Sequence, residues 1–189
     1  MATSFPGFDS PAVGFEQPFD MLEACHDRVR RSLSLLERLM AHIDASGHDE
    51  KSRSAATDVL RYFELAAPLH HEDEELHVFP LLLARGDAAI AATVQALLED
   101  HRRMNRLWAT LRTPLSRWTR AETSGGAVDE KVRRIFGEFG ALYASHLERE
   151  EGLVFPAAKV LAGADDLAGM GAEMQRRRAA ADTLTVTGG

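Results

Sequence analysis

The sequence predicts an all-α protein, an antiparallel up-down-up-down bundle of four helices with an N-terminal arm and a short C-terminal helix. Four long segments repeat apolar residues at steps of three and four, which is the period of one buried helix face. The loops that join them are short and polar, as expected between antiparallel neighbours, and no segment shows the sustained alternation of a strand. With 189 residues and 45% hydrophobic content, the chain is long enough for a single domain with one core.

The domain boundaries follow from changes in composition along the chain. Residues 1–19 contain four phenylalanines together with proline and glycine, so we expect an arm that packs on the domain rather than a continuous helix. Residues 20–162 carry the helical period and form the predicted bundle. Residues 163–189 are expected to form a short helix, over about 165–180, and a tail.

The first two predicted helices are separated by the polar segment at residues 46–52. The first covers about residues 20–45, and the second continues to about Ala84 with a kink at Pro68. The buried stripe of the first helix contains Leu22, His26, Val29, Leu33, Leu36, Met40 and Ile43. The stripe of the second contains Ala56, Leu60, Phe63, Ala67, His70, Glu74, His77 and Leu81.

The third and fourth predicted helices repeat this arrangement. The third follows the turn at residues 85–87 with Asp87 as its N-cap, and we expect it to end near Pro114. The fourth follows the polar loop at residues 119–129. The stripe of the third helix contains Ile90, Val94, Leu97, His101, Met104, Trp108, Leu111 and Leu115. The stripe of the fourth contains Val132, Ile135, Phe139, Leu142, His146, Glu150 and Leu153.

Charge and composition argue against several classes of protein. The net charge of −7 and pI near 5.6 disfavour a nucleic-acid partner. The single cysteine, Cys25, excludes an internal disulfide and is interpreted as a packed small residue. No apolar segment approaches the ~20 residues of a membrane span, and the start lacks the pattern of a signal peptide. We therefore expect a soluble, cytoplasmic protein without a membrane partner; its oligomeric state is left open.

Six polar residues occupy the predicted buried stripes. A lone core histidine is usually structural, but here each helix contributes one, and two glutamates accompany them. Burying two carboxylates in an apolar bundle costs several kcal/mol each unless a cation compensates. Neutral imidazoles cannot supply that charge, and no lysine or arginine lies on the stripes. The predicted metal ligands are His26, His70, Glu74, His101, His146 and Glu150.

The segment HHEDEELHVFP, at residues 70–80, leaves two choices for a histidine and a carboxylate one turn apart. His70 with Glu74 and His71 with Glu75 have the same spacing, but they lie about 100° apart around the helix. Only the first pair follows the buried stripe, so His70 and Glu74 are the predicted inward pair.

An internal repeat supports this register. The segment HLEREEGLVFP, at residues 146–156, aligns with residues 70–80, so that His146 and Glu150 correspond to the first pair. Each half also contains one earlier histidine at almost the same spacing. Two half-sites facing across a pseudo-two-fold axis predict a dinuclear centre.

The ligand types narrow the choice of metal. Mixed imidazole and carboxylate ligands without a thiolate suit iron or manganese better than a structural zinc site. If both glutamates bridge two irons, the six side chains fill about eight of the twelve positions on two octahedra. The remainder would accept a bridging oxygen and an exogenous ligand such as O2.

These residues resemble the hemerythrin-like, HHE cation-binding family over about residues 20–160. The resemblance lies in His26, in the two His-x-x-x-Glu motifs, and in His101 within EDHRRM. It implies a four-helix bundle with a carboxylate-bridged di-iron centre, whose two irons share an oxo or hydroxo bridge. Members of the family bind O2 reversibly, sense oxygen or iron, or handle NO and peroxide.

One position departs from the pattern of the oxygen carriers in this family. Those carriers are characterised by a five-histidine pattern in which the third helix provides His-x-x-x-His. In this chain the residue four positions after His101 is Asn105. Some iron-sensing relatives use a residue placed like His71 as an extra ligand. His71 is therefore either a seventh ligand or a neighbour of the site. His77 is interpreted as pocket lining, and His42 and His48 as solvated.

Three functions remain open at this point. The first is a di-iron protein that binds O2 or a related small ligand for sensing, delivery or iron handling. The second is an enzyme that removes NO or peroxide at the same centre, which needs the same ligands and an open position. The third is a metal-free interaction module, which the buried carboxylates disfavour.

Overall fold

Four helical rods and one C-terminal helix make up the protein in a computed structural model, which describes residues 14–120 and 127–187. Neither of these ranges contains a strand, so the predicted all-α class is confirmed. Residues 1–13 of the predicted arm lie outside the described residues. Within the described ranges, no helix is long and apolar enough to cross a membrane.

The rods are numbered in chain order. Rod 1 is the single helix α1 and rod 3 the single helix α5, whereas short π-helical turns interrupt rods 2 and 4. The helices are α1 Pro18–Ser46, α2 Glu50–Arg61, α3 Ala67–Asp73, α4 Phe79–Arg85, α5 Ala88–Trp118, α6 Glu130–Arg149, α7 Phe155–Leu161 and α8 Ala164–Thr187. Rod 2 consists of α2 to α4, and rod 4 of α6 and α7.

Each π-helical turn precedes a proline at the second position of the next helix. The turns span Tyr62–Ala66, Glu74–Val78 and Glu150–Val154. In each case the residue before the proline donates its backbone N–H to the carbonyl five residues earlier, as Phe79 does to Glu74. Proline lacks an N–H and its ring crowds the preceding turn, so the wider turn relieves the clash. One of these turns, Tyr62–Ala66, lies directly before the site of the kink expected at Pro68; the kink itself stays a prediction.

The prediction that the third helix ends near Pro114 is wrong, since α5 continues to Trp118. Leu111 and Leu115, on either side of the proline, are both buried in the core. Packing of these leucines outweighs the missing backbone hydrogen bond. The predicted cap at Asp87 is confirmed, because its carboxylate accepts the Ile90 N–H at 2.9 Å. The C-terminal helix α8 is longer than the 165–180 expected.

The loop between rods 1 and 2 contains two histidines that are expected from the sequence to be solvated. Both are half-buried and hydrogen-bonded instead. His42 Nε2 lies 2.9 Å from Asp49 Oδ1, and His48 Nε2 lies 2.8 Å from the Arg120 carbonyl oxygen. Asp49 also accepts the Ser52 N–H and thereby caps α2. These histidines stabilise a loop and a helix start.

Two apolar clusters fill the core and lie on opposite sides of the layer that contains the predicted ligands. Along the chain, rods 1 and 3 each contribute residues to the second cluster and then to the first. Rods 2 and 4 contribute residues to the first cluster and then to the second. The largest buried side chains of the first cluster include Leu36, Leu39, Met104, Leu111, Leu115 and Phe139. Those of the second include Leu22, Phe79, Leu82, Leu97, Phe155 and Met174.

Helix α8 packs on α1 and α3 and forms ion pairs with rod 2. Asp73, which is fully buried, lies 2.5 Å from Arg178 Nη2 and 3.0 Å from Arg177 Nη2. His77, which is expected from the sequence to line a pocket, lines a cavity between rod 2 and α8, with Nε2 2.8 Å from Glu173 Oε2. A buried carboxylate paired with two guanidiniums is strongly destabilised if either partner is removed. The C-terminal helix is therefore anchored to the residue that precedes Glu74 in the chain.

Candidate metal centre

All six predicted ligands lie in one buried layer between the two apolar clusters. Each is at most 1% exposed. Rod 1 contributes His26 and rod 3 His101, whereas rods 2 and 4 each contribute a histidine and a glutamate one turn apart. The glutamates are the first residues of two of the π-helical turns. Such turns occur frequently at functional sites, because they change the direction of side chains.

The six residues form two groups of four that share both glutamates. One group contains His26 and His70, and the other contains His101 and His146. Within each group, one ligand atom from every residue lies within 4.8 Å of all the others. Two imidazoles and two carboxylates therefore converge on each of two adjacent points.

The Glu74 carboxylate faces both groups, with one oxygen toward each. Its Oε1 lies 3.3 Å from His70 Nε2 and 3.8 Å from His26 Nε2. Its Oε2 lies 3.4 Å from His101 Nε2. This is the orientation that a carboxylate needs to bridge two cations.

The Glu150 carboxylate repeats this arrangement from rod 4. Its Oε2 lies 3.2 Å from His26 Nε2, and its Oε1 lies 2.9 Å from His146 Nε2. The two histidines of the second group are also close together, with 3.1 Å between their Nε2 atoms. The pseudosymmetry expected from the sequence repeat is therefore present in the geometry of the site.

Most of the inward-facing atoms lack a hydrogen-bond partner. Among the described residues, the buried side-chain atoms without one include all four oxygens of Glu74 and Glu150, His26 Nε2 and both ring nitrogens of His70. Buried polar groups are almost always paired, so a cluster of orphaned nitrogen and oxygen atoms calls for another partner. A cation bound by these atoms satisfies them together, and the donor set fits a metal of the iron or manganese kind.

The pKa values describe how the site balances its charge without metal. Burial lowers the pKa of His26, but the neighbouring carboxylates of Glu150 and Glu74 more than offset this and raise it to about 10. His101 follows the same pattern, with burial opposed by Glu74 and Glu75 and a pKa of about 9. Burial raises the pKa of Glu150, yet the neighbouring histidines hold it well below its usual range. Contrary to the expectation from sequence, the imidazoles are not all neutral; in the metal-free site, protons on His26 and His101 take the place of a cation.

Carboxylates outside the centre hold the far side of three histidine rings, those of His26, His101 and His146. Glu151 Oε1 lies 2.9 Å from His26 Nδ1, and Arg30 donates to both oxygens of Glu151. Asp100 Oδ2 lies 3.4 Å from His146 Nδ1. A carboxylate only accepts hydrogen bonds, so Nδ1 carries a proton and Nε2 is left to face the centre.

His71 is buried beside the centre but belongs to neither group of four. Its ring stacks on that of His101, with centroids 4.0 Å apart and planes inclined by 12°. Its Nε2 lies 3.4 Å from the Tyr143 hydroxyl. Burial raises the pKa of Tyr143 well above its usual range. Direct ligation by His71 stays a prediction.

Comparison with known proteins tests the family resemblance. A model of the hemerythrin HHE cation-binding domain matches residues 17–158, from the start of α1 into α7. The chain belongs to the hemerythrin HHE cation-binding domain family. All six predicted ligands lie within the match, whereas α8 lies beyond it.

A relative of this HHE-domain chain covers nearly the same length. An uncharacterized protein of Haemophilus influenzae is 29% identical over 164 residues, which is 87% of this chain and 91% of the relative. The two chains are therefore similar across more than the domain itself.

The carboxylates that hold the histidine rings of the HHE domain are not predicted from the sequence. Glu75 Oε1 lies 2.7 Å from His101 Nδ1, and Glu151 holds His26 in the same way. One signal was present, because each ligand glutamate is followed by a second glutamate in both halves of the repeat. Tyr143 and Asp100 carried no such signal.

Proposed function

We propose that this HHE-domain protein is a non-haem di-iron protein that binds O2 or a related small ligand, for sensing, delivery or iron handling. One observation carries the proposal: Glu74 and Glu150 each direct one oxygen at each histidine pair. A mononuclear site would need only one oxygen from each. Two bridging carboxylates and two pairs of imidazoles instead fit two cations side by side.

The proposed metal is iron, because the donor set suits iron or manganese better than structural zinc. A structural zinc site is closed by four tetrahedral ligands and frequently uses cysteine, whereas this site has no thiolate and shares its carboxylates. Cys25 is buried on rod 1, next to His26 in the chain, but belongs to neither group of four. When bound, a pair of irons supplies redox chemistry and open positions for a small ligand.

The up-down-up-down topology is part of the proposal, because it brings the two half-sites together. It is supported by the order in which the rods meet the two apolar clusters, which reverses from each rod to the next. It is also supported by the packing of α1 on α2, α2 on α5, and α5 on α6. Antiparallel neighbours place the middle of every rod at the same level.

The surrounding residues orient the ligands and keep water out. Glu75 and Glu151 fix two histidine rings through Nδ1, which leaves Nε2 directed inward. Phe155 stacks on His26, with ring centroids 5.1 Å apart. Phe79 lies against His101, with centroids 5.6 Å apart. The apolar shell lowers the local dielectric and strengthens binding of a cation to two buried carboxylates.

The test is to load the metal-free protein anaerobically with Fe(II) and to follow its optical spectrum during exposure to O2 and its removal. A spectrum that changes and then returns supports reversible binding. Sustained turnover of peroxide or NO by the same loaded protein would instead support the detoxifying activity. Failure to retain iron would contradict both the ligand-binding and the detoxifying function. The metal-free interaction module would then be the remaining hypothesis.

A further inference from the structure

An open cleft between rods 2 and 3 leads from the surface toward the centre. Its volume is about 450 Å³, and its floor includes Phe63, Pro68, Asn105 and Trp108. Asn105 is exposed, whereas Phe63 is buried. The cleft therefore begins in solvent and ends against the aromatic side chains of the first apolar cluster.

A second, much smaller cavity continues the cleft inward. It shares the same four floor residues and is closed on its inner side by His71 and Tyr143, among others. Its volume is about 10 Å³, which is close to the minimum that holds a single water-sized molecule. A cavity of this size holds at most one small molecule, so it excludes an organic substrate.

This path ends closest to His101. His71, which lines the small cavity, stacks on His101 with centroids 4.0 Å apart. Its ring is farther from those of His70 and His146, at 5.9 and 6.1 Å. His26 does not line the cavity. The path therefore favours access on the His101 side of the centre.

The inner end of the path carries two polar side chains in a largely apolar lining. The Tyr143 hydroxyl and His71 Nε2 lie 3.4 Å apart, and both residues are buried. A phenol can donate one hydrogen bond while it accepts another, and a neutral imidazole can do the same through its two nitrogens. The pair can therefore donate to the outer atom of a small ligand.

We infer that small ligands reach the centre on its His101 side through this path and accept a hydrogen bond from Tyr143 there. This inference rests on the proposed di-iron function and adds the residues that govern entry and retention. Asn105 controls entry at the mouth. Tyr143, positioned by His71, controls retention. The ligand class is a diatomic molecule or a small linear anion with an acceptor at its free end.

Azide binding to the iron-loaded protein separates these two roles. Asn105→Trp narrows the mouth and should slow azide association about tenfold, within the range that mutations change association rates, without changing its final affinity. Gln95→Trp, at an exposed position of α5 outside the cleft, is the matched control and should not slow it. Equal rates in both variants would overturn the entry path.

Tyr143→Phe removes only the hydroxyl and should fold. Loss of one hydrogen bond should weaken azide by roughly three- to tenfold through faster release. Iron content should be unchanged, because Tyr143 belongs to neither ligand group. An azide affinity equal to that of the unaltered protein would overturn the role of Tyr143.

A measurement without iron distinguishes failure of the path from failure of the di-iron proposal. Dissolved O2 is paramagnetic, so it should broaden the NMR signals of His71 and Tyr143 in the metal-free protein. Asn105→Trp should reduce this broadening, and Gln95→Trp should not. If the protein bound no iron but showed this broadening and its reduction in Asn105→Trp, the entry path would be supported and the di-iron function contradicted. If the protein bound iron but the signals stayed sharp, only the entry path would be contradicted.

Discussion

The Glu75 carboxylate in rod 2 lies 2.7 Å from Nδ1 of His101 in rod 3. Its counterpart in the repeat, Glu151 in rod 4, lies 2.9 Å from Nδ1 of His26 in rod 1. Each half of the chain therefore orients the single histidine of the other half. Neither half-site has its full set of supporting contacts without the opposite half of the bundle.

Replacing Glu75 by alanine should weaken metal binding without unfolding the protein. Glu75 is 44% exposed at its side chain, so its loss leaves no cavity, but His101 loses the group that fixes its ring and tautomer. Loss of such an outer partner typically weakens metal affinity by about 10- to 100-fold. Chelator competition measures the change. Glu148→Ala, at an exposed position three residues before Glu151, is the control, and equal affinities in the two variants would contradict the orienting role.

The positions of the ligands could be predicted because burial of a helix face is a local property of sequence. The period and the repeat together selected His70 with Glu74 over His71 with Glu75. The same logic treated Glu75 as outward, since it lies about 100° round the helix. Its contact with His101 depends on the distance between two rods, which no period encodes.

Two further features of the fold, the π-helical turns and the end of α5, could not be predicted from the apolar pattern, for physical reasons. A π-helical turn adds a single residue to one turn of the helix. The apolar stripe still shows steps of three and four residues across it, so the turn cannot be recognised from the sequence. Pro114 indicated a helix end, but burial of Leu115 beyond it outweighs the lost hydrogen bond. Tertiary packing therefore determines where α5 ends, rather than the local preference of proline.

Histidines inside and outside the centre should respond differently to removal. His70→Ala and His146→Ala each delete an inward nitrogen and should abolish most metal binding, as measured by metal content after dialysis. His42→Ala and His48→Ala remove hydrogen bonds in the loop between rods 1 and 2 and should retain full metal content. Metal loss in the loop variants, or its retention in both inward variants, would refute the assignment of the site.

His71→Ala tests whether this histidine is a seventh ligand or a neighbour. Its ring stacks on His101 and its Nε2 faces Tyr143, so we expect full metal content with a shifted optical spectrum. Loss of metal would instead indicate direct ligation. If both metal content and spectrum were unchanged, neither role would hold.

Metal uptake should release protons and become tighter as the pH rises. In the metal-free protein the pKa of His26 is raised to about 10 and that of His101 to about 9, so both are charged near neutrality and a metal must displace their protons. Chelator competition between pH 6 and 8 should show rising affinity, and a pH-independent affinity would disagree with this account.

The same shifts set the pH dependence of metal-free stability. A histidine whose pKa is raised on folding stabilises the folded state fully below its unfolded pKa of about 6.5, and this contribution is lost as the pH rises through the folded pKa. The metal-free protein should therefore lose thermal stability between about pH 7 and 10, where His101 and then His26 lose their protons. Bound metal should remove most of this dependence, because it replaces those protons.

The most direct test of the dinuclear account is metal analysis of protein purified without added metal, together with an optical spectrum. Glu74 and Glu150 each face both histidine pairs, so the account predicts close to two metal ions per chain, with iron in preference to zinc. A single zinc ion per chain, bound away from Glu74, would contradict it.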